Sequence, residues 1–503
     1  MPLTEKALME LESIVGSENF SADKPTCLTY CSLMHGVSYF PAKYIFDAVV
    51  RPASTEEVQK IVLLANREKI PLYPRGLGYS QMHFPGPDGG VCVDLGRMNR
   101  IISVDEDSRF VVMEAGVTVG QLLEYFAKHH PRFEPIIPNS APLASTMGGF
   151  QVGRTGGPYQ IRAGTGVDSI LSFEGVLPNG EIVQTGAASM NQPWFLKGDW
   201  QAVTDPRFML AALGTMGIIT KFSSRMFPKP QVREERWYGF DSMEDVVDPL
   251  TQWMYHQFGL ESCYGGNWVG LASGFHGLRH PFPDPKKAGW PNAWAVLLYG
   301  GHPEEVALKK RLVEDINKKS QKKGNSIRPM RSPMTPYGDR LTEREMPWTE
   351  VQRWVHQGNL RYVPTNTQIW FISYVMARNI PAFLHAEDEI TEKYGFYTNF
   401  HFRAYDWGRM YQLKLTLTYD ISEDKDVDML REALREFALR VKNLGVPVGP
   451  QSPVVIPYLI AEFPSFAKQV KLYLQLKDMM DPNNIMNPQA VAPMREAMKG
   501  AKV

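Results

Sequence analysis

The stretch Pro71-Leu-Tyr-Pro-Arg-Gly-Leu-Gly-Tyr-Ser80 decides the fold class of this chain. Two glycines flank one residue directly after a predicted strand, and such a loop can form a backbone nest whose N–H groups bind a pyrophosphate. Gln81 stands where the dinucleotide fingerprint GxGxxG has its third glycine, and residues 83–90 contain too many prolines and glycines for the helix of a Rossmann site. The sequence therefore disfavours a nicotinamide-binding Rossmann domain, and a plain turn between strands stays the alternative.

Three further stretches are rich in glycine, hydroxyl or turn residues. Pro138-Asn-Ser-Ala-Pro-Leu-Ala-Ser-Thr-Met-Gly-Gly149 combines small and hydroxyl side chains, which let main chain approach a large flat ligand closely. Leu213-Gly-Thr-Met-Gly-Ile-Ile-Thr220 is a glycine-kinked entry to a strand, and Asp481-Pro-Asn-Asn-Ile-Met-Asn-Pro488 is rich in turn residues. Each stretch is unspecific by itself, but the joint order and spacing of all four are highly specific.

Together, the four stretches resemble the FAD-binding proteins of the vanillyl-alcohol oxidase/p-cresol methylhydroxylase (PCMH) family. The resemblance begins at Val49-Val-Arg-Pro-Ala-Ser-Thr-Glu-Glu-Val58 and is strongest over residues 47–230. It implies an α+β, two-domain PCMH-type FAD-binding fold, with two α/β subdomains and an inserted ferredoxin-like substrate (cap) domain. We therefore expect an FAD-binding domain over residues 1–228, a substrate domain over 229–458, and a C-terminal segment, 459–503, that returns to the FAD domain.

The resemblance also assigns residues to the FAD site by matching position. The segment Pro74 to Ser80 would hold the pyrophosphate, Ile218 and Ile219 would offer main chain to the adenine, and Asn487 would lie near the flavin ring. Bound FAD would accept a hydride at its N5 atom, while the protein supplies position and electrostatics. The full set of assigned residues is Pro74, Arg75, Gly76, Leu77, Gly78, Tyr79, Ser80, Pro138, Ser140, Leu143, Ser145, Thr146, Gly148, Gly149, Gly153, Ile218, Ile219 and Asn487.

The chain departs from the family pattern at the positions that attach flavin. Many relatives attach it through a His directly after the glycine pair of the first loop, where this chain has Tyr79. The phenol oxidases of the family use a His late in the substrate domain, at the position of Tyr411-Gln412 here. We therefore expect FAD to bind without a covalent bond, and a tyrosyl link at Tyr411 stays open.

Two signatures that would identify a substrate are also missing. The phenolate-binding Tyr-Arg pair of the phenol oxidases has no counterpart in residues 445–451, which read Gly-Val-Pro-Val-Gly-Pro-Gln. The metal-binding His-x-x-Asp-x-Asn-x-His signature of the D-2-hydroxy-acid dehydrogenases is absent, and residues 401–406 read His-Phe-Arg-Ala-Tyr-Asp. We therefore expect no metal site, and the substrate stays open.

Five side chains are candidates for the chemical step. His83 follows the first loop, where the phenol oxidases place a substrate-contacting tyrosine, and a neutral imidazole can accept a hydroxyl proton near neutral pH. The others, in or near a predicted strand of the substrate domain, are His401, Arg403, Tyr405 and Tyr411. The competing interpretations are a structural loop histidine and a solvated strand end with salt bridges.

The composition excludes several classes of partner. The chain has 503 residues with 54 Lys+Arg and 54 Asp+Glu, so its formal net charge of +0 provides no basic field for nucleic acid or an anionic membrane. No stretch reaches the ~18 consecutive apolar residues of a membrane helix. Four cysteines without a CxxC pair indicate neither a disulfide framework nor zinc. We expect a cytoplasmic protein that acts on a small, aromatic substrate, and the resemblance implies a homodimer or hetero-oligomer.

Short β-branched runs alternate with capped helices, as is typical of mixed α/β structure. We predict helices capped by Thr4, Ser54 and Thr118. Two further helices are predicted over residues 303–319 and 426–444. The predicted strands are residues 91–94, 110–114, 170–177, 182–185, 294–299, 367–375 and 412–419.

The leading functional hypothesis is an FAD-dependent oxidoreductase that oxidises an alcohol or a para-substituted phenolic substrate by hydride transfer to flavin N5. The alternative enzyme is a D-2-hydroxy-acid dehydrogenase with a protein or quinone electron acceptor. A catalytically silent flavoprotein-like subunit of a hetero-oligomer is the hypothesis from another class, because both attachment histidines are missing. The electron acceptor itself stays open, since access of oxygen to the flavin depends on packing that periodicity does not reveal.

Overall fold

The structure is a computed structural model. It describes residues 3–31, 44–78, 85–138, 143–152, 156, 160–197, 209–210, 212–256, 259–268, 290–330, 366–420, 424–445 and 455–501. The chain divides into two compact units: unit 1 consists of Met1–Thr155, Thr165–Lys229 and Ile456–Val503, and unit 2 of Gly156–Gly164 and Pro230–Val455. The short segment Gly156–Gly164 thus belongs to unit 2, although the sequence analysis included it in the first domain.

A four-stranded sheet lies in the N-terminal part of unit 1. Its strands are β1 (Phe20–Ser21), β2 (Ala48–Val50), β3 (Leu72–Arg75) and β4 (Val91–Asp94), in the order β1-β2-β4-β3. The strands β2, β4 and β3 run parallel, and β1 pairs antiparallel with β2. All three residues of β2 are buried, in keeping with parallel strands that are covered on both faces.

Unit 1 also contains a six-stranded antiparallel sheet. Its strands are β5 (Ile101–Asp105), β6 (Phe110–Glu114), β7 (Phe133–Pro135), β8 (Ile170–Val176), β9 (Ile182–Gln184) and β10 (Ile218–Pro228). Their order is β5-β6-β10-β8-β9, with β7 also paired to β10. Gly180, at φ +87°, closes a tight turn between β8 and β9 by donating its N–H to the Leu177 carbonyl at 2.9 Å.

Unit 2 contains a seven-stranded antiparallel sheet. Its strands are β11 (Val232–Phe240), β12 (Ser262–Asn267), β13 (Ala293–Gly301), β14 (Arg328–Met330), β15 (Asn366–Val375), β16 (Tyr397–Tyr405) and β17 (Met410–Asp420). The order is β14-β11-β13-β12-β16-β17-β15. Because β12 pairs with β16, the earlier strands β11–β14 and the later strands β15–β17 form one sheet.

The helices confirm the predicted caps. Thr4, Ser54 and Thr118 accept hydrogen bonds from main-chain N–H groups three residues later, at 3.2, 3.2 and 3.1 Å. No helix in the described ranges is long and apolar enough to cross a membrane. The described helices are α1 (Glu5–Val15), α2 (Lys24–Cys31), α3 (Thr55–Glu68), α4 (Val119–His129), α5 (Met147–Val152), α6 (Gln160–Ala163), α7 (Gly166–Ser169), α8 (Glu244–Tyr255), α9 (Pro303–Lys322), α10 (Ile380–Tyr394), α11 (Asp424–Asn443), α12 (Ile456–Glu462), α13 (Pro464–Met480) and α14 (Pro488–Lys499).

Helices cover one face of the unit 2 sheet. The Trp253 ring of α8 packs on Tyr238 of β11 with ring centroids 5.4 Å apart. Phe437 of α11 packs edge-on against Phe371 of β15 at 4.7 Å, and Phe383 of α10 packs on Phe437 at 5.0 Å. Apolar residues alternate with polar ones over residues 401–404 of β16 and 412–415 of β17, so the polar residues there project from the opposite face.

The C-terminal part of the chain joins unit 1 through a buried ion pair. Lys477 of α13 is 0% exposed and its ammonium group contacts the Asp481 carboxylate. The ammonium group also donates to the Thr215 carbonyl and the Met486 carbonyl, both at 2.9 Å. Burial lowers the pKa of Lys477, whereas the Asp481 carboxylate acts in the opposite direction. One cation therefore joins the third and fourth glycine-rich or turn-rich stretches.

Replacing Lys477 by Met is expected to destabilise unit 1 strongly. The change leaves the Asp481 carboxylate buried without its cation, and breaking a buried pair in this way costs about 3–5 kcal/mol. Thermal unfolding of Lys477→Met should therefore begin at a clearly lower temperature than that of the wild type. Lys468→Met, at an exposed position of the same helix, is the matched control. Equal melting temperatures for the two variants would contradict this account.

Candidate functional site

The first loop of unit 1 follows β3 and contains two glycines at positions where a residue with a side chain would not fit. Gly78 has φ +81°, a left-handed conformation that favours glycine, and a Cβ there would overlap the Arg75 guanidinium. A Cβ at Gly76 would overlap Thr146 Oγ1. The loop thus fits closely against an arginine on one side and against the second stretch on the other.

Arg75 supports this loop from the interior of unit 1. The residue is 8% exposed, and its Nη1 donates to the main-chain oxygen of Tyr30 at 2.7 Å. The guanidinium carbon also lies 5.4 Å from the centroid of the Tyr30 ring. Because the guanidinium group binds within the protein, the main chain of the loop is the part that can bind an anion.

The second stretch runs beside residues 115–120 before it enters α5. The Gly120 N–H donates to the Leu143 carbonyl at 2.8 Å. The Gly148 N–H donates to the Ala115 carbonyl at 2.8 Å, and a Cβ at Gly148 would lie 2.7 Å from that same oxygen. Backbone therefore packs on backbone here, and Gly148 is required by the close approach.

Ser145 presents a buried hydroxyl between these elements. The residue is 5% exposed, and its Oγ forms no hydrogen bond with any part of the chain that the structure describes. A buried polar group without a partner costs about 1–3 kcal/mol. A polar ligand that supplies one hydrogen bond would remove this cost, and Ser145 is one of the residues assigned to FAD.

The third and fourth stretches meet at β3. The Asn487 N–H donates to the Leu72 carbonyl at 2.8 Å, and Asn487 Nδ2 donates to the Leu213 carbonyl at 2.6 Å. A Cβ at Gly214, which has φ +71°, would lie 2.6 Å from Pro74 Cγ. Within unit 1, the first stretch therefore contacts each of the other three stretches, and the third and fourth stretches also contact each other.

Ile218 and Ile219 open β10 directly after the third stretch. They pair with Val176 and Gly175 of β8, and both side chains are buried. Gly217 precedes them at φ +142°, and a Cβ there would lie 2.7 Å from the Val176 carbonyl. The contact of their main chain with adenine stays a prediction.

The other assigned residues differ in how far the structure describes them. Pro138 is buried, Leu143 is 47% exposed, and a Cβ at Gly149 would lie 3.3 Å from Thr146 Oγ1. Leu77 lies in the described loop between the two glycines. The residues outside the described ranges are Tyr79, Ser80, His83, Ser140 and Gly153.

In unit 2, one row of side chains crosses four neighbouring strands. Tyr264 of β12 pairs with Arg403 of β16, Arg403 with Gln412 of β17, and Gln412 with Tyr374 of β15. We call these four residues the polar row. Gln412 Nε2 donates to the Tyr374 hydroxyl at 3.1 Å, and the Arg403 guanidinium carbon lies 5.2 Å from the centroid of the Tyr264 ring. Burial raises the pKa of Tyr264, and the Arg403 charge opposes this rise.

His401 and Lys414 form the next row on the same face. They are paired across β16 and β17, and both are buried. The His401 ring stacks on Tyr264 with centroids 5.1 Å apart and an interplanar angle of 25°. Burial lowers the pKa of Lys414 well below its usual value, and the nearby Arg403 charge lowers it further. We call Arg403, His401 and Lys414 the basic cluster.

Tyr405 lies two residues beyond Arg403 on β16 and therefore projects from the same face. It is 1% exposed, and its ring meets Tyr374 edge-on with centroids 5.8 Å apart. A Cβ at Gly156 would overlap the Tyr405 hydroxyl, and Gln160 of α6 donates Nε2 to the Ala404 carbonyl at 3.2 Å. Gly156 and Gln160 therefore pack at this end of β16.

The structure does not bring Tyr411 to this face. Successive residues of a strand point to opposite faces, so Tyr411 projects away from its neighbour Gln412. Tyr411 is 1% exposed, meets Phe402 edge-on at 6.4 Å, and donates its hydroxyl to the Leu250 carbonyl of α8 at 3.5 Å. Burial raises its pKa well above the usual value. We therefore correct the assignment of Tyr411 to the catalytic group: it is a core residue of the helix-covered face.

Sequence reasoning missed several residues of this face. Tyr264, Tyr374 and Lys414 were not singled out, and Gln412 was considered only as a replacement for an attachment histidine. The strict alternation over residues 412–419 was the available signal, because it places Gln412 and Lys414 on the face opposite the leucines. The partners on β12 and β15 depend on long-range strand pairing, which no local pattern reveals.

Comparison with known proteins identifies the N-terminal part of the chain. Residues 46–186 match the family described as FAD binding domain. A mitochondrial D-lactate dehydrogenase [cytochrome] of Arabidopsis thaliana is 32% identical over 42% of this chain and 35% of its own length. The 4-cresol dehydrogenase [hydroxylating] flavoprotein subunit of Pseudomonas putida is 28% identical over 48% of this chain and 46% of its own length.

Two further similarities extend over nearly the whole chain. The glycolate oxidase subunit GlcD of Bacillus subtilis is 24% identical over 97% of this chain and 96% of its own length. The crystal structure of p-cresol methylhydroxylase with substrate bound superposes with a TM-score of 0.79, at 21% identity and 97% coverage of both chains. The matches thus span less than half the length of the D-lactate dehydrogenase and of the 4-cresol dehydrogenase subunit, and almost all of the glycolate oxidase subunit.

The residues of unit 1 fit the cofactor that these similarities imply. Gly76, Gly78 and Gly148 allow close approach to main chain, and the buried Ser145 hydroxyl is available for one hydrogen bond. The fold, the matched domain, and the glycines and hydroxyl named above are all consistent with FAD as the cofactor. Residues 46–186 therefore form an FAD-binding domain, and the chain as a whole has the PCMH-type fold.

Proposed function

We propose that the protein is an FAD-dependent oxidoreductase that oxidises a small molecule at a carbon bearing a hydroxyl group, or at the para carbon substituent of a phenol. The main support is that the first stretch contacts the other three within unit 1, and that the second stretch carries the buried Ser145 hydroxyl. Bound FAD supplies a two-electron acceptor. The protein would hold it with the first loop, Ser145 and Asn487.

The chain's own residues would bind the substrate and accept its proton. We assign the proton acceptor to His83, by its place after the first loop. We assign substrate binding to His401, Arg403 and Tyr405, because they share one face of the unit 2 sheet. A positioned base typically contributes roughly 10²–10⁴-fold to such a step.

The finer alternatives differ in substrate and acceptor. The similarity to a D-lactate dehydrogenase [cytochrome] favours a D-2-hydroxy acid and a protein acceptor, whereas the similarity to 4-cresol dehydrogenase favours a phenol. The sequence lacks the metal signature of the first group and the Tyr-Arg pair of the second. The name of the Bacillus relative, a glycolate oxidase subunit, keeps a silent subunit of a hetero-oligomer as a further candidate.

A substrate screen by flavin bleaching tests the proposed function. The purified holoprotein should lose its yellow colour without oxygen when it receives one member of a panel of aromatic alcohols, alkylphenols and D-2-hydroxy acids. If the yellow colour returns in air, the protein is an oxidase. If the flavin stays reduced in air, the protein is a dehydrogenase that needs another electron acceptor. A protein that binds FAD but is bleached by no member, although dithionite reduces it, would favour the silent subunit.

FAD is expected to be released when the protein is denatured. Tyr79 and Gln412 occupy the two positions at which relatives carry attachment histidines, and the Tyr411 hydroxyl lies on the helix-covered face. Acid precipitation should therefore leave the yellow colour in the supernatant, measured by absorbance against total flavin. Flavin that stays with the precipitated chain would contradict non-covalent binding, and peptide mapping would then identify the attachment residue.

His83→Ala is expected to slow flavin reduction by roughly 10²-fold or more while FAD content stays unchanged, because a positioned base contributes that much. The measurement is stopped-flow reduction with the substrate found in the screen. His129→Ala, at the end of α4, is the matched control and should reduce at the wild-type rate. If His83→Ala changes the rate by less than about threefold, the role passes to His401 or Tyr405.

A further inference from the structure

We propose that Tyr30 of α2 is a positioning residue for FAD. It holds Arg75, and through Arg75 the main chain of the first loop, in the conformation that binds the FAD diphosphate. This inference rests on the part of the proposed function in which the first loop holds FAD. It gives a role to α2, a helix that lies outside all four stretches quoted from the sequence.

Two contacts of Arg75 come from Tyr30. Arg75 Nη1 donates to the Tyr30 main-chain oxygen at 2.7 Å, and the guanidinium carbon lies 5.4 Å from the centroid of the Tyr30 ring. Arginine stays protonated in proteins and Arg75 is 8% exposed, so its charge needs partners inside unit 1. Tyr30 supplies an oxygen acceptor and an aromatic face. Its carbonyl also lies in the last turn of α2, where the helix dipole favours a cation.

The guanidinium group of Arg75 in turn limits where the loop main chain can run. Gly78 has φ +81°, and a Cβ there would overlap the guanidinium group, so the main chain of Gly78 passes close beside it. A backbone nest binds an anion through successive N–H groups that point into one concavity. Displacement of the guanidinium group would let this part of the loop change conformation, and a fraction of the molecules would then lack the nest.

Tyr30 is itself fixed by Asp94 at the end of β4. The Tyr30 hydroxyl donates to Asp94 Oδ2 at 2.7 Å, and Asp94 is the partner of Arg75 in the parallel register of β3 and β4. Burial raises the pKa of Tyr30 above its usual value and the Asp94 charge raises it further, so the hydroxyl stays protonated at neutral pH. A hydrogen bond to a charged acceptor is stronger than a neutral one. One tyrosine therefore joins the ends of two neighbouring strands.

Packing of α2 and contact with the loop depend on different residues of the helix. Cys27 and Cys31 are 1% and 4% exposed and belong to one buried cluster with Tyr73 of β3. Tyr30 is partly buried and packs against the edge of this cluster. Substitution can therefore separate the two roles, since a change at Cys27 weakens the packing and a change at Tyr30 alters the contacts with the strand ends.

Release of FAD from diluted holoprotein, followed by the rise in flavin fluorescence, tests this inference. Tyr30→Phe removes the hydrogen bond to Asp94 and keeps the ring, whereas Tyr30→Leu removes both. We expect the FAD dissociation constant to rise at least about fivefold in Tyr30→Phe and at least about twentyfold in Tyr30→Leu, because it grows as the competent loop becomes rarer.

Cys27→Ala, at a packing position of the same helix, is the matched control. It should lower the melting temperature at least as much as Tyr30→Phe does, because it leaves a cavity in the core. Its FAD dissociation constant should nevertheless stay within about twofold of the wild-type value. A loss of affinity in the Tyr30 variants no greater than that in Cys27→Ala would overturn the inference.

Hydrogen exchange followed by mass spectrometry gives a second readout, which does not depend on release of the flavin. The main-chain amides of residues 75–78 should exchange faster in Tyr30→Phe than in the wild type and in Cys27→Ala. Asp94→Asn, which removes the charge of the acceptor, should change exchange in the same direction. Unchanged exchange of the loop in both Tyr30→Phe and Asp94→Asn would overturn the inference.

The inference and the proposed function can fail separately. Gly78→Val introduces a β-branched side chain at a positive φ, so it should abolish FAD binding if the first loop holds the cofactor. Full flavin content in Gly78→Val would contradict the FAD site of the proposed function. Loss of flavin in Gly78→Val, together with unchanged affinity in both Tyr30 variants, would keep that site and remove the role of Tyr30. Substrate bleaching of the wild-type protein depends on neither result.

Discussion

The buried ammonium group of Lys477 is the interaction on which the FAD-binding half of the molecule depends. It holds the Thr215 and Met486 carbonyls and the Asp481 carboxylate together. Through these contacts the turn at Asp481 reaches β3, whose last residues enter the glycine loop. Two of the four stretches assigned to the cofactor site thus meet at a single cation, and this cation and its partners are buried, where an unpaired charged group is costly.

The two units differ in the polar and charged groups that they contain. In the first loop of unit 1, Arg75 already donates a hydrogen bond to the main-chain oxygen of Tyr30. The groups of unit 1 that can bind the FAD phosphates are therefore main-chain N–H groups and the Ser145 hydroxyl, which are dipoles and carry no full charge. Unit 2 instead buries Arg403, His401 and Lys414 side by side on the polar face of its sheet.

Local patterns predicted much of the fold but only part of the site. The strands at Val91–Asp94 and Phe110–Glu114 and the cap at Thr118 were predicted because hydrophobic periodicity and capping act over a few residues. Tyr411 was misassigned because a shift of one residue in a strand moves a side chain to the other face. Tyr264 was missed because its contact with Arg403 exists only once β12 pairs with β16, far along the chain.

The two units differ in when their residues become available during synthesis. Unit 2 takes most of its residues from one continuous run, Pro230–Val455, whereas unit 1 needs Ile456–Val503 to complete the edge of β3. Domains generally fold as units while the chain emerges from the ribosome. The sheet of unit 2 can therefore form while unit 1 still lacks the helices of Ile456–Val503.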